Sequence, residues 1–148
     1  MARWLGIDHG SKRIGVAVGD ASVAIATPVT VLDGASFDEA AEQILRISDE
    51  HGASGIVVGW PLNMDDTEGP QGKTARQFAL NLAERTALDV RLWDERLSSF
   101  QADQALAGAF TRKQKKARQD AIAAAVILQD FLSAGGPQGA PRPSEVTD

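Results

Sequence analysis

Two apolar runs near the N-terminus, "RWLGID" (Arg3 to Asp8) and "RIGVAVGD" (Arg13 to Asp20), are separated by only the four residues "HGSK". A link that short turns the chain back on itself. It forces the two strands to be antiparallel, because a parallel neighbour needs a crossover of roughly a dozen residues or more. A third run, "AIATPVTVL", follows after another short connection, with Pro28 near its start, which suits an edge strand. The chain therefore opens as a three-stranded meander.

The periodicity then changes. "SFDEAAEQILRISDEHG" carries Phe37, Ala40, Ala41, Ile44, Leu45 and Ser48 at helical spacing. Ser36 with Glu39 forms a capping-box pattern, and Gly52 provides the stop. "SGIVVGW" is a continuous apolar run, the signature of a strand covered on both faces. "PLNMDDTEGPQG" reads as a long polar loop whose glycines suit a flexible flap. "KTARQFALNLAERT" is helical again, with Ala75, Phe78, Ala79 and Leu82 on one face. "DVRLWDERL" alternates at Val90 and Leu92 and predicts a fifth strand. "SSFQADQALAGAF" predicts a short helix, and "QDAIAAAVILQDFLSA" a strongly apolar one. The order β-β-β-α-β-α-β-α-α predicts an α/β fold, a mixed five-stranded sheet with helices on both faces. Right-handed crossovers put the fourth and fifth strands beside the first. The first strand is then central, at a switch point where ligands bind beyond strand ends. Residues 1–134 form one domain on this reading. Residues 135–148, "GGPQGAPRPSEVTD", hold three of the six prolines and read as a disordered tail.

The chemistry rests on acids at element ends. Asp8 ends the first strand, Asp94 and Glu95 end the fifth, and Asp120 begins the last long helix. Brought together they repel unless cations hold them, and all-oxygen ligands favour Mg²⁺ or Mn²⁺. Two such ions, about 3.5–4 Å apart, clamp the attacking and leaving oxygens of a phosphodiester. Each acid also has a plainer role. Asp8 could form a turn, Asp94 and Glu95 could pair with neighbouring arginines, and Asp120 could complement a helix dipole. If Val90 and Leu92 face one core layer, alternation puts Asp94 on their side and Glu95 on the other, which favours Glu95. His9 and His51 form no cluster, and no Ser-His-Asp set is suggested. The loop after the fourth strand lacks the Gly-Lys-Ser/Thr ending of a phosphate loop.

Composition bounds the rest. The chain has 148 residues, 43% of them apolar and 24% charged, as in ordinary soluble domains. It has no cysteine and no apolar run near ~20 residues. With no signal-peptide pattern either, the cytoplasm is the expected compartment and no membrane is involved. Net charge is −5, but "RKQKKAR" (Arg112 to Arg118) holds five of the fifteen basic residues, so the remainder sums to −5 − 5 = −10. An acidic body with one concentrated basic stretch, directly before Asp120, suits phosphate contacts beside a metal site. The stretch could equally be a solvated connector.

The stretches "GIDHGSKRIGVAVGD", "VVGWPLNMDDTEGP", "DERLSS" and "KARQDAIAAAVIL" together resemble the YqgF/RuvX family of pre-16S rRNA nucleases, also described as Holliday-junction resolvase-like. The resemblance spans most of residues 5 to 132. It implies a ribonuclease H-like fold with strand order 3-2-1-4-5. It further implies a divalent-metal endonuclease, with Asp8, Glu95 and Asp120 as metal-binding catalytic acids and two ions of Mg²⁺ or Mn²⁺. Lys12, Arg13, Asn63, Arg96, Lys113 and Lys116 are the implied substrate contacts. The expected partner is precursor rRNA, with branched DNA and ribosomal particles as further partners, and the chain acts as a monomer or homodimer. Gly19 departs from the family's common serine, and Trp60 from its common leucine. In the related junction resolvases the second acid follows the fourth strand, where this chain has Gly59 and Trp60. A junction resolvase and a non-catalytic nucleic-acid-binding module are the competing readings. An actin-like phosphotransferase would need a second lobe and a second acidic glycine motif, and neither is expected in these 148 residues.

Overall fold

A computed structural model describes residues 2–10, 12–97 and 119–146. Five strands, β1 (Arg3–His9), β2 (Arg13–Asp20), β3 (Ile25–Asp33), β4 (Ala53–Trp60) and β5 (Asp89–Asp94), form one sheet in the order β3-β2-β1-β4-β5. β1, β2 and β3 are antiparallel neighbours. β4 and β5 add parallel to β1. Three helices complete the fold: α1 (Phe37–Glu50), α2 (Pro70–Ala83) and α3 (Gln119–Ser133). The meander, the order and the central β1 agree with the sequence reading. The short helix expected over 98–110 lies outside the described residues.

Local signals fix the element ends. The Ser36 hydroxyl accepts from the Glu39 amide at 3.3 Å and caps α1. Gly52 follows the helix with φ +64°, a left-handed residue that a side chain would strain. Alternation along each strand then sorts the sheet into two faces. Leu5, Ile7, Ile14, Val16, Ile56, Val58, Val90 and Leu92 pack against α1 and α2. Trp4, Ala17, Val57 and Trp93 pack against α3, whose Phe131 meets both Trp4 and Trp93. Asp8, two residues beyond Gly6, belongs to the α3 face. No helix among the described residues is long and apolar enough to cross a membrane.

The expectation of a disordered tail is corrected. Gly136–Gly139 and Pro143–Glu145 form short 3₁₀ turns, and Ala140 is buried. The Leu92 amide donates to the Pro141 carbonyl at 2.8 Å, and Arg91 donates to the Pro137 and Ala140 carbonyls at 3.1 and 2.9 Å. The reason is the edge. β5 is the last strand, and its outer donors need acceptors. Proline lacks an N–H but keeps its carbonyl, so a proline-rich segment can supply them.

Candidate active site

Two glycines set Asp120 and Glu95 on either side of Asp8. Asp8 faces Gly15 across the β1–β2 ladder, and Ile7 faces Val58 across β1–β4, which sets Gly59 beside Asp8. A Cβ at Gly15 would lie 1.8 Å from the Asp120 carbonyl oxygen, so the first turn of α3 rests directly on the β2 backbone. A Cβ at Gly59 would lie 2.4 Å from Glu95 Oε1 and 2.6 Å from Ile127 Cδ1. Glu95 opens the 3₁₀ turn after β5 and folds its carboxylate back over the end of β4. Asp8 is thus flanked on one face of the sheet by Asp120 over β2 and Glu95 over β4.

The electrostatics follow from that crowding. Burial, then the charge of Asp120, pushes the Asp8 carboxyl up to about 6. Burial, then the charges of Asp8 and Asp94, pushes Glu95 up to about 7. Asp94 is opposite in character: hydrogen bonds from Arg96 hold its carboxyl below the usual range. Arg13 Nε stands 2.9 Å from Asp120 Oδ2 and offsets part of the negative charge. Among the described residues no three acidic, histidine or cysteine side chains converge as a ready ligand cluster. The donor set is nonetheless all carboxylate, and its mutual repulsion is what a hard divalent cation relieves.

Arg96 sits at the site's border. Its Nε and one terminal nitrogen hold the Asp94 carboxylate at 3.0 and 2.7 Å. The other terminal nitrogen donates to the Asn63 carbonyl and to Asp66, both at 2.8 Å. The guanidinium therefore ties the end of β5 to the loop 61–69. That loop is built rather than slack. Its Asn63 amide donates to Thr67 at 2.9 Å, and Glu68 accepts from Trp60 Nε1 at 2.9 Å and from Arg76 at 2.8 and 3.0 Å. Lys12 is exposed at the β1–β2 turn. Lys113 and Lys116 lie outside the described residues. An open cleft of ≈ 470 Å³ is lined by Asp8, His9, Gly10 and Glu95 together with Pro61, Pro70, Gln71 and Thr74.

Sequence reasoning named the acids but missed their seats and His9. A glycine inside an apolar strand marks close approach of another group, and Gly15 and Gly59 both carried that signal. His9 stacks on Phe78 at 4.4 Å, and burial lowers its pKa, so the ring favours its neutral form.

A family model described as "RuvX: Holliday junction resolvase" matches residues 2–134. A "Putative pre-16S rRNA nuclease" of Cereibacter sphaeroides is 43% identical over 129 residues, covering 86% of this chain and 81% of the relative. One of the same name from Chloroflexus aurantiacus is 41% identical over 131 residues, covering 88% and 86%. Among solved structures, RuvC of T. thermophilus in complex with a Holliday junction substrate superposes with a TM-score of 0.60 at 14% identity, covering 95% of this chain and 98% of that one. That likeness shows the fold, a ribonuclease H-like one. The family match covers residues 2–134, most of the chain, and the chain belongs to the RuvX family.

Proposed function

We propose that this RuvX-family nuclease hydrolyses phosphodiester bonds of precursor 16S rRNA in the cytoplasm, with Asp8, Glu95 and Asp120 as the acids that hold divalent cations. The observation that carries the reading is that Asp120 over Gly15 and Glu95 over Gly59, from separate elements, flank Asp8 on one face of the sheet. Mg²⁺ or Mn²⁺ bound there would supply positive charge where negative charge develops on the phosphodiester oxygens. The chain's own groups prepare that place. Gly15 and Gly59 fix the approach of Asp120 and Glu95, and Arg13 restrains Asp120. Lys12 and the basic residues Lys113 and Lys116 supply charge for the substrate backbone. The relatives' names supply the choice of rRNA, and the cleft, open on one side and bordered by a fixed loop, accommodates a flexible strand.

The test offers the purified protein precursor 16S rRNA, with and without ribosomal particles, beside four-way DNA junctions, in Mg²⁺, Mn²⁺ or EDTA. The expected result is metal-dependent cutting of the RNA. Cutting in EDTA would overturn the metal assignment. Paired symmetric cuts across the junction, with the RNA intact, would make the protein a resolvase. Binding without cleavage in every metal would make it a binding module.

A further inference from the structure

The cleft has a second wall that the acids do not use. His9 leaves β1 directly after Asp8, and alternation turns its side chain to the α1–α2 face. There it stacks on Phe78, ring centroids 4.4 Å apart and planes inclined by 30°. Phe78 is buried and meets Phe37 edge-on at 5.4 Å. The Arg85 guanidinium in turn covers Phe37, 4.8 Å from its ring centre. The imidazole is the outermost ring of a stack anchored in the core. Its remaining surface lines the same ≈ 470 Å³ cleft as Asp8 and Glu95. Pro61 and Pro70 add flat apolar surface, and exposed Gln71 and Thr74 add polar groups.

This wall is made for something other than phosphate. No lysine or arginine lines the cleft among the described residues. Flat rings with a polar rim suit a planar, partly polar ligand, and the volume is in the range of small-molecule pockets. We propose that it is a nucleobase subsite, in which the unpaired base of the nucleotide beside the scissile phosphate stacks on His9 between Pro61 and Pro70, with Gln71 and Thr74 addressing its edge. The proposal rests on the three acids being the phosphodiester-cutting centre, because Asp8 and Glu95 line the cleft that delivers the base. A base inside a duplex has both faces covered by its neighbours. The subsite therefore selects single-stranded or splayed RNA at the cut, by stacking and without reading an extended sequence.

The test uses the full chain and single-stranded RNA carrying 2-aminopurine at successive positions, bound in Ca²⁺ and in EDTA. One position is expected to be quenched by the wild type and by His9→Phe, and not by His9→Ala or His9→Leu, with melting curves showing which variants fold. In a second arm with Mg²⁺, an abasic residue at that position is expected to lower wild-type kcat/KM by about ten-fold. The same abasic residue should add little to the loss already present in His9→Ala. Equal quenching by wild type and both aliphatic variants would overturn the subsite, as would an equal abasic penalty with and without the imidazole. Failure to cut any RNA would overturn the nuclease reading instead, while the fluorescence arm would still decide the subsite.

Discussion

Asp8 carries opposite demands at the residue scale. Its carboxyl is pushed from an ordinary 3.8 to about 6, chiefly by burial, so ionising it in the folded protein is costly. For a raised acid the folded state holds the proton more tightly than the unfolded chain. The favourable contribution is present at low pH, fades as pH rises from about 4 through about 6, and is gone above. Asp8→Asn removes the charge at nearly constant shape. The variant is expected to be more stable than wild type at pH 8, by on the order of 1–3 kcal/mol, with the difference closing toward pH 4. Thermal melts at the two pH values check this. The same variant should abolish cleavage while RNA binding survives, and Mg²⁺ should raise the melting temperature of wild type but not of Asp8→Asn. Equal stability at pH 8 would mean that Asp8 is an ordinary turn residue.

Glu95 and Asp94 separate on the same scale. Asp94 is held low by Arg96, and Glu95 is held high by burial and by the Asp8 and Asp94 charges. Glu95→Gln should therefore remove activity with folding intact. Asp94→Asn should instead loosen the loop 61–69 through Arg96 and reduce activity only partly. Full activity in Glu95→Gln would reverse the assignment.

Elements show why glycines matter more than their neighbours suggest. Gly59 meets two side-chain ends, Glu95 Oε1 and the buried Ile127 Cδ1, whereas Gly15 meets helix backbone. Gly59→Ala should leave the fold standing, at a cost of about 1–3 kcal/mol, because Glu95 can swing away and only the terminal methyl of Ile127 must shift. The swing moves the carboxylate proposed to hold a cation, and misplacement on the ångström scale costs on the order of 10²-fold in rate. Gly15→Ala cannot be absorbed in that way and should destabilise far more. Melting curves beside single-turnover rates distinguish the two, and a normal rate in Gly59→Ala would mean that Glu95 does not work from above β4. The fold was legible because short links force antiparallel pairing and the continuous run at β4 demands two covered faces. Asp8, Glu95 and Asp120 were legible as acids at element ends. The seats were harder to see, since a strand glycine says that something approaches without saying what. Arg96 was read as a substrate contact or a partner of the neighbouring acids, and it does hold Asp94, but its further partners, Asp66 and the Asn63 carbonyl, are some 30 residues away in the chain. The docked segment after α3 escaped because composition counts prolines as breakers and overlooks their carbonyls as acceptors for an edge strand.

The whole molecule is acidic, yet its proposed substrate is a polyanion. A net charge of −5 with five basic residues concentrated in Arg112–Arg118 leaves −10 elsewhere, so binding must be local rather than spread over the surface. Arg96 is engaged by Asp94 and Asp66, and Arg13 by Asp120, which reduces what the described residues can offer to phosphates. The concentrated stretch is therefore expected to carry most of the non-specific electrostatic attraction. Each phosphate neutralised by a lysine or arginine releases counterions and steepens the fall of affinity with salt, by about 0.7 in log–log slope on single strands and about 0.9 on B-form DNA. Changing Lys113, Lys115, Lys116 and Arg118 together to glutamine should weaken binding across RNA sequences alike. It should also flatten the salt dependence by roughly 0.7 for every phosphate that is no longer neutralised. Titrations of single-stranded RNA from low to moderate salt, wild type beside the variant, give both slopes directly. A variant that binds weakly with an unchanged slope would place the phosphate-neutralising residues elsewhere on the chain and leave the basic run as a solvated connector before Asp120.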